Sequence, residues 1–160
     1  MVKGEGNISW PGKIKWFAKS SGTTNDKSKF IPVSNEALSF NHFKAGKDLL
    51  SVHLNNYPDS KIFKGKSLAI GGSRQISPLD KNIFTGDISA ILIKSLPIWA
   101  KFFRTPPMKI ALMSEWENKI DRMAAITSKQ NITSISGVPT WTIVLIKKIL
   151  ELNKCDNILE

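Results

Sequence analysis

Two strand-like segments held apart by a run of small polar residues constrain this chain more than any other feature. Residues 14–18 (Ile14-Lys15-Trp16-Phe17-Ala18) and 29–33 (Lys29-Phe30-Ile31-Pro32-Val33) are rich in β-branched and aromatic side chains. Between them stand Ser20-Ser21-Gly22-Thr23-Thr24 and a polar turn, Asn25-Asp26-Lys27-Ser28. The expected unit is strand, loop, strand. Hydroxyls and free backbone N–H groups in such a loop form an anion-binding concavity, Gly22 permits close backbone approach, and Lys29 adds a point charge. A solvent-exposed polar hairpin loop has a similar composition. A Walker-type loop does not fit, because that pattern needs a second glycine before the lysine and a helix after it.

The rest of the chain alternates strand and helix signals. Ser34 reads as the N-cap of a long helix whose apolar residues are Leu38, Phe43, Leu49, Leu50, Val52 and Leu54, with Asn55, Asn56 and Pro58 ending it. Residues 67–70 read as a short buried strand closed by Gly71-Gly72, and residues 73–86 as a loop. Asp87 caps an apolar helix to about Leu96. Pro97 begins a helical turn through Phe103, and Thr105-Pro106-Pro107 breaks it. Trp116, Ile120, Met123 and Ala124 fall at i, i+4, i+7 and i+8, one face of an amphipathic helix. Residues 131–135 are a candidate strand, and Pro139 suits the first turn of a last helix reaching Leu152. The expected class is α/β, with helices packed on a mostly parallel sheet after the initial strand pair.

Composition narrows the function classes. The 160 residues carry a formal charge of +10, which suits a polyanionic partner. The excess is spread, with eleven lysines against five acids in residues 1–66 and twelve Lys or Arg against eight acids in residues 67–160. A nucleic-acid face usually clusters its charge beside exposed aromatics, so no specific nucleic acid is expected. The single cysteine, Cys155, excludes an internal disulfide and agrees with a reducing compartment. The apolar run near residues 88–96 is broken by Ser89, Lys94 and Ser95, so no membrane span is expected. The expected location is cytoplasmic. His42 and His53 stand eleven residues apart on one expected helix, about 16 Å, too far to share a metal ion. Gly71-Gly72-Ser73-Arg74 reads as a plain turn or an anion contact.

Ser20-Ser21-Gly22-Thr23-Thr24, with Lys29 eight residues after the second serine, resembles the phosphate-binding motif of the acyl-adenylate-forming superfamily. The flanking text WPGKIKWFAKSSGTT, HFKAGKDLL, KSLAIGGS, IFTGD and SGVPTW is similar to bacterial members of the acyl-acid amido synthetases related to auxin-responsive promoter proteins. This likeness runs along nearly the whole chain. It implies part of the large N-terminal domain of an enzyme that activates a carboxylic acid with ATP and Mg²⁺ and joins it to an amino acid. It implies that Ser20, Ser21, Thr23 and Thr24 donate to the nucleotide phosphates, that Gly22 allows their approach, and that Lys29 offsets the charge of the leaving pyrophosphate. Gly137, Val138 and Trp141, at a strand-to-helix turn, are the candidates for the acyl-acid pocket; shaping of the helix start by Gly137 and Pro139 is the alternative. No catalytic residue or protein-bound metal is assigned.

The resemblance has two departures. Asn25-Asp26 stands where the superfamily usually has glycine, although both residues tolerate left-handed turns. The later Y-x-S-S-E-like and Y-R-x-G-D-like segments are not in this text, so the chain reads as an internal piece of a longer enzyme, expected to be inactive alone. A non-catalytic basic module for a phosphate-bearing ligand is the competing reading.

Overall fold

The computed structural model describes residues 2–20, 29–71 and 76–157. The chain forms two compact units. The first comprises Met1–Asp59 and Arg74–Ser95, the second Ser60–Ser73 and Leu96–Glu160.

In the first unit, strand β1 (Trp16–Lys19) pairs antiparallel with β2 (Phe30–Val33), Lys19 opposite Phe30 and Trp16 opposite Val33. The strand–loop–strand expectation is met. Ser34 caps the next helix as expected: its Oγ accepts from the Ala37 N–H at 3.1 Å. That helix opens with a π-helical stretch, Ala37–Phe43, which the sequence reading did not anticipate, and continues as α1 (Lys44–Asn56). Leu38 and Phe43 lie five residues apart, the spacing of the wider π turn, and both pack against Ala18, Val33 and Ile91. Beyond it the apolar stripe loses its register with the core. Leu49 and Val52 are exposed, at 70% and 58%.

After β3 (Lys66–Ile70), which belongs to the second unit, residues 77–86 correct a sequence expectation. In place of a loop, β4 (Ser77–Asp80) and β5 (Ile83–Gly86) form an antiparallel hairpin. Pro78 hid β4, yet β4 is the edge strand of the sheet, where a missing N–H is tolerated. Asn82 turns the hairpin at φ 64°. β5 also pairs parallel with β1, giving a four-stranded mixed sheet ordered β2-β1-β5-β4. Both faces of β1 are buried. Ala18 meets Ile91 of α2 (Ile88–Ser95), while Phe17 packs with Ile14 and Ile83.

The second unit holds a parallel three-stranded sheet ordered β6-β3-β7, with β6 (Arg104–Thr105) and β7 (Ile132–Gly137). Two short helices precede and follow β6: α3 (Ile98–Phe103) and α4 (Met108–Ala111). The stripe from Trp116 produces α5 (Trp116–Thr127), and Pro139 opens α6 (Pro139–Asn153), both as expected. Leu68, Ile70, Ile120, Met123, Ala124 and Leu145 form the core between sheet and helices. The α/β class holds, with one mixed and one parallel sheet.

Candidate functional site

The hairpin of β1 and β2 fixes the ends of the small-residue loop. The Ser20 N–H donates to the Lys29 carbonyl at 3.0 Å, and the Lys29 N–H returns a bond to Ser20 Oγ at 3.2 Å. Each end therefore holds the other, and the ladder runs on into Lys19 and Phe30. Ser20 Oγ serves as acceptor in this bond and keeps its own proton available for donation. Lys29 is exposed. Of the six expected phosphate-binding residues, Ser20 and Lys29 are thus placed at the neck. Ser21, Gly22, Thr23 and Thr24 lie outside the described residues, as do Asn25 and Asp26.

Below the neck the strand pair is anchored by aromatic stacking. The Trp16 and Phe84 rings lie 5.1 Å apart, and Lys94 Nζ sits over them at 5.3 and 5.6 Å from the two centroids. A cation above aromatic faces is attracted by their quadrupoles, which holds α2 against β1 and β5. Beyond β2, Trp10 Nε1 donates to Glu36 at 3.3 Å. The backbone at Glu36 and the Ser34 hydroxyl hold the Glu36 carboxyl below the usual carboxylate range.

Gly137, Val138 and Trp141 occupy the turn from β7 into α6 in the second unit. Gly137 is the last strand residue, opposite Ile70. A Cβ there would come 2.8 Å from the Ile70 carbonyl oxygen, so close packing on β3 demands glycine. Val138 is 43% exposed, and its carbonyl accepts from both the N–H and the Oγ1 of Thr142, at 3.0 and 3.1 Å. Trp141 stacks on Trp116 with ring centroids 5.1 Å apart and packs against the core. In this position it seals the top of α5 against α6.

Two charged residues stand out that were not singled out from the sequence. Lys119 is fully buried, and its ammonium donates to the Gly71 carbonyl at 2.8 Å, just past the end of β3. Its position on the apolar face of α5, three residues after Trp116, was the legible signal. Arg104, in β6, donates from Nη1 to the Pro106 carbonyl at 3.0 Å. Burial lowers both pKa values from their ordinary ranges, and the Arg104 charge lowers that of Lys119 further. Among the described residues no three His, Cys, Asp or Glu side chains gather as a metal site. His42 lies edge-on to Phe43, and His53 beside Tyr57.

A family model described as the GH3 family N-terminal domain matches residues 1–160. The chain belongs to the GH3 family. These are the auxin-responsive acyl-acid amido synthetases, and the family contains adenylating ligases. Comparison with curated proteins finds no significant match. The two α/β units, with their mixed and parallel sheets, are consistent with a GH3 N-terminal domain. No helix of the described residues in this GH3 chain is long and apolar enough to cross a membrane.

Proposed function

We propose that this protein activates a carboxylic acid with ATP and then joins it to an amino acid. In the first step a carboxylate oxygen attacks the α-phosphorus, the bond to the β-phosphate breaks, and pyrophosphate leaves. In the second, the amino acid's amine attacks the acyl carbon, AMP leaves, and the amine loses a proton. The observation that supports this reading is the neck of the β1–β2 loop in a GH3 chain, where Ser20 and Lys29 bond each other reciprocally and hold the loop's two ends.

In this reading Ser20, Ser21, Thr23 and Thr24 donate to the β- and γ-phosphates, and Gly22 admits them close to the backbone. Lys29 offsets charge on the departing pyrophosphate. The loop acts by positioning and electrostatics and forms no covalent bond. Mg²⁺ enters with the nucleotide as part of the substrate, held chiefly by its phosphates, as this ion commonly is. Gly137, Val138 and Trp141 line the acyl-acid side in this reading, and the protein works in the cytoplasm.

Thermal unfolding with and without ATP–Mg²⁺ tests the loop, and ATP–pyrophosphate exchange with a panel of carboxylic acids tests the chemistry. Exchange should be assayed on the longest polypeptide that the reading frame encodes. Nucleotide stabilisation that disappears in Lys29→Ala, with acid-dependent exchange, is the expected result. Stabilisation without exchange for any acid would sink the enzyme reading in favour of a non-catalytic module for a phosphate-bearing ligand.

A further inference from the structure

We propose that an aromatic and basic patch of the second unit, built from α3 and residues 61–66, docks on an anionic lipid surface. Five of the six residues of α3 are apolar (Ile98, Trp99, Ala100, Phe102 and Phe103), yet none is buried. Ile98 is 75% exposed, Phe102 69% and Trp99 52%. A helix that is apolar on every side ordinarily lies in a core or in lipid. A second segment extends the patch. The exposed Phe63 ring meets Phe103 edge-on, with centroids 5.6 Å apart, and Lys66 Nζ donates to the Phe102 carbonyl. All these residues belong to the second unit, and nothing in the β1–β2 loop enters the patch.

Charge selects the partner. Residues 60–71 and 96–114 hold six Lys or Arg and no Asp or Glu. Lys61, Lys64 and Lys101 are exposed, as the apolar residues are. The complementary surface is therefore negative outside and apolar beneath. A bilayer with anionic headgroups has this order, and basic residues beside Trp, Phe and aliphatic side chains are what lies in its interface. Trp99 suits the headgroup level, where an amphipathic ring is half in lipid and half in water. With six residues, α3 lies on such a surface and does not span it. Single-stranded nucleic acid also meets basic and aromatic surfaces, but it stacks on open ring faces. Here the most exposed side chain of the patch is the aliphatic Ile98, and Phe63 and Phe103 are engaged edge-on with each other. Those features favour lipid.

The test is cosedimentation of the longest polypeptide that the reading frame encodes with phosphatidylcholine vesicles, with and without about one-third phosphatidylserine. Binding should need the anionic lipid and weaken as salt rises. Brominated acyl chains should quench a part of the tryptophan emission that is missing in Trp99→Phe. Ile98→Ser combined with Phe102→Ser should weaken partitioning at least about tenfold, because two apolar side chains no longer leave water. Lys61→Gln combined with Lys64→Gln should weaken it roughly 25-fold, at about fivefold per lysine near the surface. All four side chains are exposed, so both double variants should melt with the parent. Should one pair fail to fold, the other decides. Absence of binding to the anionic vesicles overturns the proposal, as does binding undiminished in the folded double variants. Binding with no acyl-chain quenching assignable to Trp99 overturns it too. Capture of single-stranded DNA in place of vesicles, lost in the same variants, would assign the patch to nucleic acid instead.

Discussion

Lys29 and Gly137 illustrate how differently single residues serve this chain. Lys29 is exposed, and its backbone, not its ammonium, bonds Ser20. Lys29→Ala should therefore leave the melting temperature within about 1 °C, since surface substitutions away from special features cost little. The same change should lower acid-dependent exchange by roughly 10²-fold, the scale of losing one preorganised charge-stabilising donor. Equal exchange in variant and parent would remove Lys29 from the phosphate site. Gly137 is the converse. A methyl group there meets the Ile70 carbonyl oxygen at 2.8 Å, so β7 must move off β3. Gly137→Ala should cost about 1–3 kcal/mol by urea unfolding, as overpacked sites do. From the sequence Gly137 could be read as a pocket residue or as a turn former. Its packing against a residue 67 positions earlier was not legible, because nothing local records it.

At the scale of elements, helices α5 and α6 were legible and strands β4, β5 and β6 were not. The Trp116 stripe satisfied the 3.6-residue period, and Pro139 marked a helix start, so local signals sufficed. β6 has two residues, Arg104 and Thr105, and exists only because β3 lies beside it. β4 carries Pro78, which argues against a strand until its edge position is known. The α5–α6 pair invites two measurements. Leu145 and Met123 are fully buried in its core, so Leu145→Ala and Met123→Ala should each destabilise by about 2–5 kcal/mol in urea. On the outer surface Lys148 Nζ lies 3.0 Å from Asp121 Oδ1, and this bond raises the Lys148 pKa. A raised folded-state value means that the stabilisation is complete below the ordinary lysine range and is lost as pH rises through the raised value. The effect is small, because the pair is exposed. Asp121→Asn should flatten the alkaline side of the stability profile, and an unchanged profile would show that the pair contributes nothing.

For the molecule as a whole, the notable fact is a core in each of two units, one built on a mixed sheet and the other on a parallel one. Each core is assembled from segments that the other unit interrupts in sequence, since residues 60–73 and 74–95 exchange places between them. Native-state amide exchange should therefore separate the units. Phe17 is 1% exposed and packs with Ile14, Ile83 and Leu79 of the first unit, so Phe17→Ala should accelerate exchange mainly in β1, β2 and β5. Leu145→Ala should act mainly on β3, β7 and α5. A uniform loss of protection from either substitution would show that the chain opens as one cooperative block.

The sequence by itself determined the strand–loop–strand at residues 14–33, the cap at Ser34, helices α5 and α6, and the family through its motif text. Each of these depends on neighbours within a few residues, or on a string that can be matched. Only the tertiary structure decided which strands pair beyond β1 and β2, that Trp141 packs on Trp116, and that Lys119 reaches the Gly71 carbonyl. Trp141 lies 25 positions from Trp116, Lys119 lies 48 from Gly71, and Gly137 lies 67 from its strand partner Ile70. Strand pairing and burial are set by what the partner surface offers, and a local pattern carries no record of its partner. For the same reason the Ser20–Lys29 neck was legible as a loop, while the reciprocal bonds that close it had to be seen.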